Sequence, residues 1–179
     1  MSNSPVTVER AVPADAGALG EVAAVTFPLA CPPESTPADI AAFIDDVLSP
    51  ARFGEYLTDL DRTVLKAVSD AQIVGYSLLH AAEPADPDVA ALIDLRPVTE
   101  ISKMYVLPGH HGNGVSGALM GSALDEAREA GRAGVWLGVN QQNARAQRFY
   151  RKHGFEIAGT KTFTVGSQLH HDYVMQRTV

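Results

Sequence analysis

Residues 101–120 constrain this chain more than any other stretch. An apolar strand carrying Ile101, Met104, Tyr105, Val106 and Leu107 runs into Pro108-Gly109-His110-His111-Gly112-Asn113-Gly114, and a helix opens at Val115. This order puts the unpaired N–H groups and the positive dipole end of a helix beside a loop that a ligand can approach closely, because Gly112, Gly114 and Gly117 carry no side chain. The ligand such a loop suits is an anion, by default a phosphate or pyrophosphate.

Two familiar phosphate cradles fit poorly. The glycines match G-x-G-x-x-G, but Pro108 and several polar residues separate the strand from the first glycine. The next strand, over 135–139, ends at Asn140 where a dinucleotide site needs an acidic residue for the ribose. In the P-loop pattern, Gly109 and Gly114 have the right spacing, yet Val115 stands where the lysine belongs. Nor do the histidines read as a metal site: His110-His111 and His170-His171 are adjacent pairs rather than spaced ligands.

Downstream lie Val135-Trp136-Leu137-Gly138-Val139, then Asn143-Ala144-Arg145-Ala146-Gln147-Arg148-Phe149-Tyr150, then Arg151-Lys152-His153-Gly154-Phe155. Together with the glycine loop this resembles the GNAT superfamily of N-acetyltransferases. Its loop reads Gln/Arg-x-x-Gly-x-Gly/Ala and its later helix Asn-x-x-Ala-x-x-Phe-Tyr-x-x-x-Gly-Phe. The first motif falls on His111, Gly114 and Ser116, departing at His111 and Ser116; the second falls on Asn143, Ala146, Phe149, Tyr150, Gly154 and Phe155.

The resemblance implies an α/β (α+β) fold in one domain over 1–179. Its central twisted sheet is mixed but mostly antiparallel, of about seven strands flanked by helices, and splayed between the central parallel strands. It also implies direct transfer of an acetyl group from acetyl-coenzyme A to an amine, with no metal. Backbone groups of Met104, Tyr105 and Val106 would pair with the pantetheine arm, and His111, Gly112, Asn113, Gly114, Val115, Ser116 and Gly117 would hold the pyrophosphate. Asn143 would steady the pantetheine, and Arg148, Arg145 or Lys152 would meet the outer phosphate. Tyr150 would protonate the departing thiolate, and Glu100, through a water, would take the proton of the amine. A homodimer through the C-terminal strands is common among relatives.

The net charge of −7 hides a division. Residues 1–100 hold 16 acidic and 5 basic residues, net −11; residues 101–179 hold 5 acidic and 9 basic, net +4. A basic half around a phosphate loop suits coenzyme A, an acidic half suits a cationic acceptor, and the overall acidity disfavours nucleic acid. A narrower resemblance points the same way. Trp136-Leu137-Gly138-Val139, Thr162-Phe163 with Gly166, Asp172-Tyr173-Val174-Met175, and Thr26-Phe27 before a Pro-rich segment look like the bacterial spermidine/spermine acetyltransferases of the PaiA type. The carboxylates for a polyamine would come from Asp45, Asp46, Asp59 and Asp61. An aminoglycoside, an amino acid, a protein N-terminus, or a non-catalytic acyl-coenzyme A sensor are the other readings.

The remaining punctuation orders the chain. A strand is expected over 6–10, a helix over 15–26 stopped by Phe27-Pro28, a second helix from Thr36-Pro37 through Val47, and a third over 51–57. Two antiparallel strands, 63–69 and 72–80, meet at Asp70-Ala71, and an acidic, Pro-rich excursion fills 82–97. Strand 100–107, helix 112–130, strand 135–139, helix 144–153 and the pair 157–165 and 171–177 complete it. The single Cys31 forms no internal disulfide, and no apolar run nears the ~20 residues of a membrane span, so a cytoplasmic protein is expected.

Overall fold

Three helices in the first half begin on one repeated chemical signature. Thr36-Pro37, Ser49-Pro50 and Asp86-Pro87 each set a side-chain oxygen just before a proline, the residue best suited to the first helical turn. The Thr36 hydroxyl accepts from Asp39 N at 3.2 Å, the Ser49 hydroxyl from Arg52 N at 3.2 Å, and the Asp86 carboxylate from Asp88 N at 2.9 Å. In a computed structural model, which describes residues 4–111 and 114–179, these caps open α2 (Pro37–Val47), α3 (Pro50–Thr58) and α4 (Pro87–Leu92). The short α4 lies inside the stretch expected to be an irregular excursion.

The other helices are α1 (Ala16–Ala30), α5 (Val115–Glu129) and α6 (Ala144–Lys152). The strands are β1 (Thr7–Arg10), β2 (Arg62–Ser69), β3 (Gln72–His80), β4 (Val98–Val106), β5 (Gly134–Asn140), β6 (Glu156–Val165) and β7 (Gln168–Thr178). They form one seven-stranded sheet in the order β1-β2-β3-β4-β5-β7-β6, antiparallel throughout except for β4 beside β5. The expected mixed, mostly antiparallel sheet is therefore present.

One expectation fails locally. Phe27-Pro28 does not stop α1, which continues to Ala30 with Pro28 inside its last turn. Burial holds the turn together: Phe27 is 3% exposed and stacks on Phe43 at 4.6 Å, while the Cys31 thiol donates to Phe27 O at 3.3 Å. A proline near a helix end forfeits little when the side chains around it are pinned from outside.

Two apolar layers sandwich the sheet. On one face α5 places Val115, Leu119, Met120, Ala123, Leu124 and Ala127 at helical spacing against Leu65, Val74, Leu79, Ile101 and Val106. On the other, Leu19, Val22, Ala23 and Phe27 of α1 and Phe53 of α3 cover Val64, Tyr76 and Leu78. A smaller cluster joins Val89 and Ile93 to Val98, Trp136 and Val174, anchoring α4. Among the described residues no helix is long and apolar enough to cross a membrane.

Two irregularities of β4 shape the space beside it. The parallel ladder with β5 consists of Val98–Gly134, Thr99–Val135 and Glu100–Trp136, after which the strands part although β4 runs on to Val106 and β5 to Asn140. On its other side the register against β3 slips: Leu78 faces Lys103 and Leu79 faces Ile101, leaving Ser102 as a bulge. The bulge restarts the alternation, so Glu100, Lys103 and Tyr105 share the α1 face of the sheet.

Leu119 is fully buried at the centre of the α5 layer. Leu119→Ala is expected to lower stability by about 2–5 kcal/mol in urea unfolding, the range for a leucine cavity that cannot collapse.

Candidate active site

Where β4 and β5 separate, a cleft of about 1020 Å³ opens, floored by residues 100–106 of β4. Beyond the three ladder pairs, the β5-facing backbone of β4 has no strand partner, and such groups require one from somewhere. One end of the cleft is the glycine turn. Gly114 has φ +78°, a conformation only glycine adopts without strain, and precedes the first residue of α5. A Cβ built on Gly114 or on Gly117 would meet nothing within 4 Å, and both residues line the cleft. Gly117 sits in the first turns of a helix, where glycine costs about 1 kcal/mol relative to alanine, and no protein atom crowds it. Open space beside helix N–H groups fits an anion held against the backbone.

The sequence-predicted residues separate into groups. Met104, Tyr105, Val106, His111, Gly114, Ser116, Gly117, Asn143, Tyr150 and Glu100 all line the cleft. The Val115 side chain is 1% exposed and belongs to the core, leaving only its backbone for a ligand. Gly112 and Asn113 lie outside the described residues. Arg148 is exposed and does not border the cleft; Arg145, Ala146, Phe149, Tyr150, Lys152 and His153 occupy the cleft side of α6, so Arg145 and Lys152 are the cations positioned there. Asn143 serves a purpose not foreseen: its Oδ1 accepts from Ala146 N at 3.1 Å and caps α6, leaving its amide nitrogen for the cleft.

Tyr150 packs edge-on against Phe149, with ring centres 5.6 Å apart, and against Phe155 at 6.0 Å. Burial pushes its phenol up to about 12, so it is protonated across the working range. The Tyr105 phenol is raised as well, by burial first and then by Tyr150 nearby. Cys31 reaches the cleft wall, but burial pushes its thiol up to about 11 and Sγ donates to Phe27 O, which makes it a poor nucleophile.

Sequence reasoning missed the far end of the cleft. Lys161 of β6 and Asp172 of β7 face each other across the antiparallel pair and form a 3.4 Å ion pair, with side-chain exposures of 13% and 9%. Gly138 makes the room, since a Cβ there would lie 2.5 Å from Lys161 Cε. Phe163, Lys103 and His170 complete this chamber. The β6–β7 hairpin is tied to the first turn of α2 and the connection before it: Ser167 N and Oγ donate to the Asp39 carboxylate at 3.3 and 3.2 Å, and Gln168 Nε2 donates to Glu34 O at 2.8 Å. Only the β6–β7 register reveals the Lys161–Asp172 pair, and no sequence motif announces it. Of the histidine pairs, His170 is buried and His171 exposed, as neighbours on a strand must be.

The comparisons agree with this architecture. Residues 28–155 match the acetyltransferase (GNAT) family. An uncharacterized N-acetyltransferase of Mycobacterium tuberculosis is 51% identical over 163 residues, covering 91% of this chain and 97% of the relative. Among solved structures, the PaiA N-acetyltransferase from Thermoplasma acidophilum in complex with coenzyme A superposes with TM-score 0.77 at 18% identity, over 98% of this chain and 99% of that one. The ribosomal-protein-S18-alanine N-acetyltransferase from Escherichia coli gives 0.70 at 15% identity, over 98% and 94%.

Asp172→Ala strands the Lys161 ammonium and is expected to cost about 3–5 kcal/mol in urea unfolding. Adding Lys161→Met should recover most of that loss, because removing both charges leaves nothing unpaired.

Proposed function

Because this chain belongs to the GNAT acetyltransferase family, we propose that it transfers the acetyl group of acetyl-coenzyme A directly to a primary amine of a small acceptor, in the cytoplasm and without a metal. One observation carries the reading: the unpaired edge of β4, the glycine turn at the α5 N-terminus and the Tyr150 phenol all border one cleft. The edge of β4 over 101–106 offers backbone donors and acceptors to the pantetheine arm. Backbone N–H groups around Gly114, Ser116 and Gly117 hold the pyrophosphate, Arg145 and Lys152 the outer phosphate. Bound there, acetyl-coenzyme A supplies the activated acyl group.

Two side chains then handle protons. Glu100, half-buried on the cleft floor, takes the proton that the acceptor ammonium must lose before it can attack. Tyr150 keeps its proton at neutral pH and delivers it to the sulfur as the thiol leaves. The likeness in fold to a PaiA enzyme puts spermidine and spermine among the acceptors to be tried. Yet Asp45, Asp46, Asp59 and Asp61 do not line the cleft, Asp59 and Asp61 bordering a separate hollow beside β2.

Thiol release from acetyl-coenzyme A across polyamines, amino acids, aminoglycosides and short peptides tests the transferase. Coenzyme A binding without release for any acceptor would point to the non-catalytic alternative instead. Tyr150→Phe is expected to lower kcat on the order of 10²-fold or more while coenzyme A still binds in calorimetry; an unchanged kcat would remove Tyr150 from the chemistry. Activity should rise with pH as the acceptor amine sheds its proton. With the Tyr150 acid titrating at about 12, no fall should appear below about pH 10, and a fall near pH 8 would assign the acid elsewhere. Gly114→Glu is expected to abolish coenzyme A binding, as it sets a carboxylate in the cradle at a backbone angle that favours glycine.

A further inference from the structure

The chamber at the far end of the cleft does not carry the charge that the first half of the chain advertises. Of the 16 acidic residues up to Glu100, only Glu100 itself lines the cleft among the described residues. The other carboxylate there, Asp172, already holds Lys161. Lys103 is left over. Its Nζ donates to the carbonyl of Ser102 at 3.0 Å and lies 5.8 Å from the ring centres of both Phe43 and Phe163. It forms no salt bridge among the described residues.

The groups that act on Lys103 through space are Glu100, Lys161, Asp172 and Arg62, and burial holds its ammonium below the usual lysine range. A half-buried cation with no contacting anion is costly, and two aromatic faces repay only part of that cost. A polar atom in the same wall lacks a protein partner: His170 Nε2, buried on β7 opposite Phe163. The bulge at Ser102 adds the third element, because it sets Glu100 on the same face as Lys103, three residues away. Beside the Lys161–Asp172 pair, Glu100 and Lys103 thus open onto one chamber that Phe27 and Phe163 also line.

We propose that the acceptor is an amine that also carries a carboxylate, with the carboxylate seated on Lys103 and the amine beside Glu100. The inference rests on the acetyltransferase reading above and names its substrate class. A zwitterion of the amino-acid or short-peptide kind meets opposite charge at both ends, and Phe163 and Phe27 border its carbon skeleton. A polyamine would bring only positive charge to a wall that carries Lys103 with no contacting anion, and like charges in a desolvated chamber repel.

Matched pairs of acceptors test this: an α-amino acid against its decarboxylated amine, and a dipeptide against its C-terminal amide, each assayed by thiol release from acetyl-coenzyme A. The expected result is a kcat/KM at least about tenfold higher for the carboxylate-bearing member of a pair. That preference should shrink to near one in Lys103→Met and survive in Lys103→Arg. Equal or greater activity with the decarboxylated members, or a preference untouched in Lys103→Met, overturns the proposal. Calorimetry with coenzyme A separates the two levels. Binding with no release from any member of either set overturns the acceptor assignment and leaves the cofactor reading standing. Failure to bind coenzyme A overturns the functional reading itself.

Discussion

The separation of β4 from β5 after three residue pairs is the constraint on which the rest depends. A parallel ladder would ordinarily continue, since every buried backbone group needs a partner. Here the two strands are held apart from outside. β5 is zipped to β7 over seven pairs from Gly134–Thr178 to Asn140–Asp172, and β4 is zipped to β3 from His80–Glu100 to Gly75–Val106. The two halves of the sheet are each complete, and the seam between them is open only at its far end. Side chains of α5 on one face and α1 on the other fix this geometry, so the gap belongs to the packed core and not to a loop.

Charge is organised on two scales. Across the whole chain, the first half is strongly acidic and the second mildly basic, which sets the long-range field. Inside the cleft that asymmetry disappears. Several of the acidic side chains are spent on arginines and lysines elsewhere, as in Asp15 with Lys66, Asp59 with Arg62 and Glu83 with Arg96. Local chemistry in the chamber is set by four groups, Glu100, Lys103, Lys161 and Asp172. A field that draws a cation toward the surface therefore says little about the ligand bound within.

What could be read in the sequence followed from short-range rules. The strand before the glycine turn, the alternating strands and the capped, proline-started helices obey local chemistry, and the structure places their ends within about three residues of expectation. Asp86-Pro87 carried the same start signal as Thr36-Pro37, yet the acidic, proline-rich surroundings concealed a helix of six residues. Pro28 misled in the other direction, because a local stop signal was overridden by the burial of Phe27 against Phe43. Lys103 and the Lys161–Asp172 pair were illegible for a different reason. Their importance comes from strand register, and register depends on a bulge and a hairpin that no local pattern specifies. Which cations of α6 border the cleft, Arg145 and Lys152 but not Arg148, depends on how that helix is rolled against the sheet.

The bulge at Ser102 turns the floor of the cleft into a matter of counting. On one side of it the side chains facing the acceptor fall at one parity, on the other at the opposite parity, and the extra residue reconciles the two. Removing or adding a single residue between Glu100 and Tyr105 would exchange the faces: Lys103 and Tyr105 would turn into the α5 layer, and Met104 and Val106 toward the chamber. Substitutions can be absorbed side chain by side chain, but a change of length here inverts the sheet's inside and outside at once.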